Sequence, residues 1–158
     1  MTYAITGLAP DGFAPLFALS DAELAARGVR RIVAEADGGY PCRVSLEDAS
    51  AGERLLLVNH ASNAVDGPYR SAFAIFVRQG AASAVYEDEC PPCFAGRTLS
   101  LRGFDKQGAL AEARLSPPGE ADAAIRALLA DPGIAYINAH NAAAGCFAAR
   151  IDREGESA

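Results

Sequence analysis

The chain has 158 residues, of which 51% are hydrophobic and 22% are charged, and its formal net charge is −6. A chain of this length and composition is expected to bury its own core without a metal ion or disulfides. The acidic balance and the lack of a Lys/Arg run argue against a nucleic-acid partner, because phosphate neutralisation supplies much of the affinity of such proteins.

The first residues lack the marks of a secretory signal, which are a basic segment followed by a continuous apolar run. No stretch approaches the length of about 18 apolar residues that suggests a membrane-spanning helix. We therefore expect a cytoplasmic protein with no membrane partner, in which the four cysteines are reduced.

The N-terminal part predicts a strand, a helix and a second strand. Residues 3–8 form the first short strand. Ser20 and Glu23 have the spacing of a capping box, which begins a helix, and Gly28 suits the left-handed residue that ends one. The second strand is predicted over residues 29–35.

The middle of the chain predicts four strands. Residues 53–60 and 71–78 are apolar on both faces, which is typical of central strands. Residues 105–108 form a hairpin signal between strands at 97–104 and 109–115.

The C-terminal part predicts a helix over residues 120–130 and two last strands over 134–140 and 146–151. Strands therefore follow one another with little helix between them. This order predicts an α+β class, as a single domain over residues 1–151 with a mainly antiparallel, curled or barrel-like sheet of about eight strands and two helices. Residues 152–158 are predicted to be a polar tail.

The last hairpin predicts a polar face with unusual chemistry. If its loop closes a regular hairpin, His140 lies opposite Cys146 and Asn138 opposite Ala148, while Phe147 points to the core face. A Cys/His pair is one way to build a nucleophile, so Cys146 is a candidate nucleophile and His140 its base. The alternative is that Cys146 is a small buried hydrophobe, and a one-residue bulge would separate the pair.

A further group of polar side chains lies at predicted strand ends and on the same hairpin. Arginine suits bidentate capture of a carboxylate or phosphate, and a polar pocket at a sheet rim is a usual ligand site. We therefore expect a small anionic ligand, with these candidate binding residues: Cys42, Arg43, His60, Tyr69, Arg70, Asn141 and Arg150. The alternative is a non-catalytic interaction or structural domain, in which each arginine forms a local ion pair or caps a carbonyl.

The segment Cys90-Pro91-Pro92-Cys93 is conspicuous but weakly supported as a site. A redox pair generally opens a helix, whereas the residues after Cys93 suggest a loop and a strand. A zinc site needs further ligands, which Cys42 and Cys146 could supply only by coming together in space. A Cys-based metal-binding module stays an alternative, while no cofactor is predicted because Gly-rich phosphate loops are lacking.

Three segments carry a family resemblance: Tyr-Pro-Cys-Arg at 40–43, the segment 67–78, and Ala-His-Asn at 139–141 with Gly-Cys-Phe-Ala-Ala-Arg at 145–150. On these segments the chain resembles domain-of-unknown-function family 1203, a group of small bacterial proteins. The resemblance extends from Tyr3 to Arg150 and does not include the Cys-Pro-Pro-Cys segment. It implies a single domain and brings no activity or catalytic residue with it.

Overall fold

The computed structural model describes residues 2–154, which form nine strands and two α-helices. The strands are β1 (Tyr3–Thr6), β2 (Arg30–Val33), β3 (Arg54–Asn63), β4 (Ser71–Arg78), β5 (Val85–Glu87), β6 (Leu99–Phe104), β7 (Leu110–Ser116), β8 (Tyr136–Asn141) and β9 (Phe147–Arg153). The α-helices are α1 (Asp21–Ala26) and α2 (Ala121–Leu129). Short 3-10 helices span Pro10–Gly12, Ala14–Ala18 and Pro92–Phe94.

The strands pair into two antiparallel sheets. The larger sheet has the order β5-β1-β9-β8-β6-β7, and the smaller sheet has the order β2-β3-β4. The α+β class and the antiparallel pairing are as predicted. The curled or barrel-like form is not confirmed, because the strands divide between two sheets and neither sheet closes on itself.

Local sequence signals locate several elements correctly. The Ser20 hydroxyl accepts the backbone N–H of Glu23 at 3.2 Å, and the Glu23 carboxylate accepts that of Ser20 at 2.7 Å, which confirms the capping box. Gly28, with φ +70°, follows the end of α1. β4 has the predicted bounds. β5 was not predicted, because an edge strand of three residues is too short to show a periodicity.

One face of the larger sheet is covered by α2. Ile125 and Leu128 of the helix belong to one buried cluster with Leu101 of β6, Ile137 of β8 and Ile151 of β9. Successive side chains of a strand point to opposite faces. The residues between these core positions therefore point away from α2.

The smaller sheet packs against that second face. The Phe73 ring of β4 lies 4.8 Å from the His140 ring of β8, and the Tyr136 hydroxyl donates to Asn63 of β3 at 2.6 Å. Buried polar side chains thus lie between the two sheets, in a layer that we call the interlayer, and they include Asn63, Asn138 and His140. This is where much of the candidate site is built.

The C-terminal strand runs further than predicted. β9 ends at Arg153, and residues 155–158 of the predicted polar tail lie outside the described part of the chain. Within residues 2–154, no helix has both the length and the apolar character needed to cross a membrane.

Candidate functional site

A β-bulge in the last hairpin separates the histidine and the cysteine that the sequence pattern paired. The register shifts between Ala139 and His140, and His140 lies opposite Phe147 instead of Cys146. Since adjacent residues alternate between faces, His140 and Cys146 point to opposite sides of the sheet. The predicted His140–Cys146 pairing is therefore wrong. The prediction that Phe147 points to the core face with Ala149 is also wrong, because Phe147 lies on the same face as His140, in the interlayer.

Cys146 receives two N–H donors at its sulfur. Arg43 Nη2 lies 3.3 Å from Cys146 Sγ, and Asn141 Nδ2 lies 3.4 Å from it. The backbone N–H of Asn141 also donates to the Cys146 carbonyl, at 2.9 Å. We call Arg43, Asn141 and Cys146 the thiol cluster.

Arg43 is only 3% exposed and lies against the start of β9. Its Nε donates to the Phe147 carbonyl at 2.7 Å and its Nη1 to the Pro41 carbonyl at 2.5 Å. Burial lowers the pKa of the Arg43 guanidinium, because desolvation disfavours the charged form. Among the described residues no carboxylate forms a salt bridge with Arg43. The Cys146 sulfur is thus the side-chain acceptor that its guanidinium contacts.

Both histidines lie in the interlayer. His140 is 2% exposed, and its Nδ1 lies 2.9 Å from the Gly145 carbonyl, so Nδ1 is the nitrogen that donates. Burial, with smaller effects of Arg102 and Arg43, lowers the pKa of His140 to about 4. Burial also lowers the pKa of His60. Both imidazoles are therefore neutral at neutral pH.

Asn138 lies between two arginines in the larger sheet. Arg102 of β6 is opposite it on one side and Arg150 of β9 on the other, instead of Ala148 as a regular hairpin predicted. Asn138 is 1% exposed, and neither its side-chain nitrogen nor its side-chain oxygen has a hydrogen-bond partner within residues 2–154. Buried polar groups nearly always have one, so this amide needs an explanation.

A pocket of about 290 Å³ opens where the start of β4 meets β6 and β7. Tyr69 and Arg70 belong to the predicted binding set, whereas Arg102 was missed because an arginine inside a strand carries no motif. We call this the rim pocket, which is lined by Pro68, Tyr69, Arg70, Ser71, Arg102, Phe104, Leu110 and Ala113.

The two arginines of the rim pocket are not neutralised by acidic side chains. Neither Arg70 nor Arg102 forms a salt bridge in the part of the chain that the structure describes. Arg70 Nη1 lies 3.4 Å from the Ala64 carbonyl, and Arg102 Nε lies 3.2 Å from the Ser100 hydroxyl. Two guanidinium groups therefore share one pocket without a carboxylate partner among residues 2–154.

The other predicted binding residues have different surroundings. Cys42 is fully buried, and its sulfur accepts the backbone N–H groups of Ser45 and Arg78. Arg150 forms a salt bridge with Asp152 at 2.8 Å. The predicted set thus does not converge on one site, but divides between the rim pocket, the thiol cluster and the interlayer.

A larger cavity, of about 490 Å³, lies beside Cys90. Two of its side chains already have partners, because Asp122 accepts the Tyr3 hydroxyl at 2.6 Å and both Asp122 and Asp88 form salt bridges with Arg126. Burial raises the pKa of the Cys90 thiol, and it is the largest cause that raises the pKa of the neighbouring Cys93 to about 12. Both thiols are therefore protonated at neutral pH, which is unfavourable for redox chemistry.

The metal-binding alternative gains no support from this geometry. No group of three or more His, Cys, Asp or Glu side chains within residues 2–154 is arranged to hold a metal ion. In particular, Cys42 lies in a different buried cluster from Cys93.

Comparison with known proteins identifies a family. A family model described as "Protein of unknown function (DUF1203)" matches residues 39–153, which include the rim pocket, the thiol cluster and Asn138. No curated protein and no solved structure matches the chain. The match confirms the resemblance that the three sequence segments carry. Because it covers most of the 158 residues, the chain belongs to the DUF1203 family.

Proposed function

We propose that this protein binds a small anionic molecule in the rim pocket. The observation that carries this proposal is the presence of Arg70 and Arg102 in one pocket, with no carboxylate of residues 2–154 paired to either of them. A guanidinium group matches the geometry of a carboxylate or phosphate and forms short, charge-assisted hydrogen bonds with it. A bound anion would neutralise both charges.

The walls of the rim pocket suit a ligand with an apolar body. Tyr69 is 44% exposed, and its ring meets the edge of Phe104 with the centroids 6.5 Å apart. Leu110 and Ala113 line the pocket beside them. Apolar walls with a few convergent polar groups are typical of small-molecule sites, and this volume is at the small end of their range of roughly 300–1,000 Å³. We expect a compact organic anion.

Isothermal titration calorimetry with phenylacetate and with inorganic phosphate tests the proposal. Arg102→Gln and Arg70→Gln are each expected to weaken binding at least about tenfold, the loss of one charge-assisted hydrogen bond. The matched control is Arg30→Gln, since Arg30 is exposed on the smaller sheet and forms no salt bridge among the described residues. Absence of binding, or equal binding by all three variants, would overturn the proposal.

A second candidate function is thiol chemistry with Cys146 as the nucleophile. It is supported by the buried Arg43 guanidinium, which has no carboxylate partner in the described part of the chain and contacts the sulfur together with Asn141. His140 has no part in this version as the base, because it points to the opposite face and donates to a backbone carbonyl. The chemistry requires the reduced thiols expected of a cytoplasmic protein.

Alkylation by iodoacetamide, followed by peptide mass mapping, tests the thiol candidate. At pH 7 we expect Cys146 to react several-fold faster than Cys90. In a Cys90→Ser control, Cys146 should react about as fast as it does in the wild-type protein. Arg43→Met and Asn141→Leu each remove one donor from the sulfur and are expected to slow the reaction. Equal rates for Cys146 in both variants and in the wild-type protein would eliminate this candidate.

A further inference from the structure

The unpartnered amide of Asn138 points to the kind of anion that the rim pocket takes. We propose that Asn138 binds a hydroxyl group next to the anionic group of the ligand, so that the site selects hydroxy acids over plain acids. This inference rests on the proposed anion binding and adds the class of ligand to it.

The position of Asn138 follows from the strand register. Asn138 lies directly opposite Arg102, and directly opposed residues have Cβ atoms about 5 Å apart on the same face. Arg102 lines the rim pocket, whereas Asn138 is almost fully buried. The amide is thus next to the Arg102 side chain on its buried side. A ligand whose anionic group is held by Arg102 would have its adjoining atoms near Asn138.

The side chains around Asn138 have partners of their own. Tyr136 donates its hydroxyl proton to Asn63, and Arg150 pairs with Asp152. His140, the next residue of the strand on that face, donates to a backbone carbonyl. The amide nitrogen and oxygen of Asn138 are therefore left for a group from outside the described chain.

A hydroxyl group matches both atoms of this amide. It can donate its proton to Oδ1 and accept a hydrogen bond from Nδ2. A ligand with hydrogen in place of the hydroxyl would leave both amide atoms buried and unpaired. Leaving a buried polar group unpaired is costly, so such a site discriminates strongly against an analogue without the hydroxyl.

Arg102 can make room for such a ligand. The hydrogen bond from its guanidinium to a side chain goes to Ser100 of the same strand, and no carboxylate in the described chain holds it. Arg102 is also only partly buried. A ligand anion could therefore turn this side chain without breaking an ion pair, which would open a path to Asn138.

Mandelate and phenylacetate test the inference, because the two anions differ by one hydroxyl group. Calorimetry on the wild-type protein is expected to show mandelate binding about tenfold tighter, which corresponds to about 1.4 kcal/mol. Asn138→Leu, of similar size, is expected to bring that ratio near one and to change the affinity for phenylacetate by less than about twofold. Asn59→Leu, a change of an exposed asparagine on β3, should keep the wild-type ratio.

The outcomes separate this inference from the proposed function. If both anions bind and Arg102→Gln weakens both, but the wild-type ratio is near one or persists in Asn138→Leu, the hydroxyl selection is wrong and anion binding stands. If neither anion binds, both proposals fall together. Should Asn138→Leu fail to fold, as judged by its circular dichroism spectrum, Asn138→Ala gives the same comparison.

Discussion

The Tyr136 hydroxyl donates to the Asn63 side-chain oxygen at 2.6 Å, which joins the larger sheet to the smaller one. The same Asn63 amide donates through Nδ2 to the Tyr69 carbonyl at 3.0 Å. One buried asparagine therefore links β8 to the segment that forms a wall of the rim pocket. The position of this wall depends on the contact between the sheets.

Removing that hydroxyl is expected to destabilise the protein. Tyr136→Phe leaves the Asn63 oxygen buried without a donor, at a cost of about 1–3 kcal/mol in the free energy of unfolding. Urea denaturation followed by circular dichroism measures it. Tyr69→Phe is the matched control, because its ring is 44% exposed and its hydroxyl has no hydrogen bond within residues 2–154, so we expect a change below about 0.5 kcal/mol. Similar losses in the two variants would contradict this account.

Stability is expected to fall as the pH is lowered through the titration range of His140. Its pKa is about 4 in the folded protein against the ordinary histidine value of 6.5, so the unfolded state binds more protons between these values. The contribution is present in full above about pH 6.5 and is lost towards pH 4, by up to about 3 kcal/mol. His60 acts in the same direction, because burial lowers its pKa too.

Proton NMR of the imidazole resonances gives a direct check, since the chain has two histidines. A His60→Gln variant leaves the His140 resonance alone in the spectrum, and its midpoint should lie well below that of a histidine in a denatured control. His140→Phe should reduce the loss of stability between pH 6.5 and pH 4. A His140 midpoint near 6.5 would show that the ring is not desolvated as the structure has it.

The four cysteines are expected to differ in their accessibility to a thiol reagent. Cys42 and Cys93 are buried, so they should stay unmodified by Ellman's reagent in the native protein and react only after unfolding. Cys90 and Cys146 are partly exposed and should account for the native reaction. Mass mapping of the modified peptides identifies the residues, and rapid native modification of Cys42 would contradict the packing described here.

Replacing Arg43 is expected to weaken the fold as well as the thiol cluster. Arg43→Met leaves the Phe147 and Pro41 carbonyls without their guanidinium donors, which should cost on the order of 3 kcal/mol. Arg54→Met is the matched control, because Arg54 is exposed and forms no salt bridge in the described chain. Chemical denaturation of both variants measures the difference. An Arg43→Met protein as stable as the control would show that these hydrogen bonds contribute little.

Features with a local cause could be predicted from the sequence. The capping box of Ser20 and Glu23 involves residues of one helical turn, and the strand at Ser71–Arg78 shows its apolar pattern within its own length. The α+β class follows from the order of such segments. For the same reason Tyr69 and Arg70 could be placed at a strand end, where the rim pocket lies.

Features that depend on pairing between distant segments could not be predicted. Ala148, the extra residue in β9, stands beside Ala149 in the sequence, and nothing in its side chain marks a bulge. Arg102 lines the rim pocket only because β6 pairs with β7 and the start of β4 lies close by. The contact of Arg43 with Cys146 joins residues far apart in the chain, which no spacing pattern reveals.

The bulge in β9 lets two residues that are two positions apart, Phe147 and Ala149, point to opposite faces of the sheet. Before it, Phe147 belongs to the cluster against the smaller sheet, and after it Ala149 and Ile151 belong to the cluster under α2. A regular strand that kept Ala148 would put Phe147 in phase with Ala149 and turn its ring away from both histidines, whereas deleting Ala148 would make Phe147 and Ala149 neighbours and keep the ring opposite His140. A family member with a gap at this position would therefore keep the same ring contacts between the two sheets with a regular hairpin in place of the bulge.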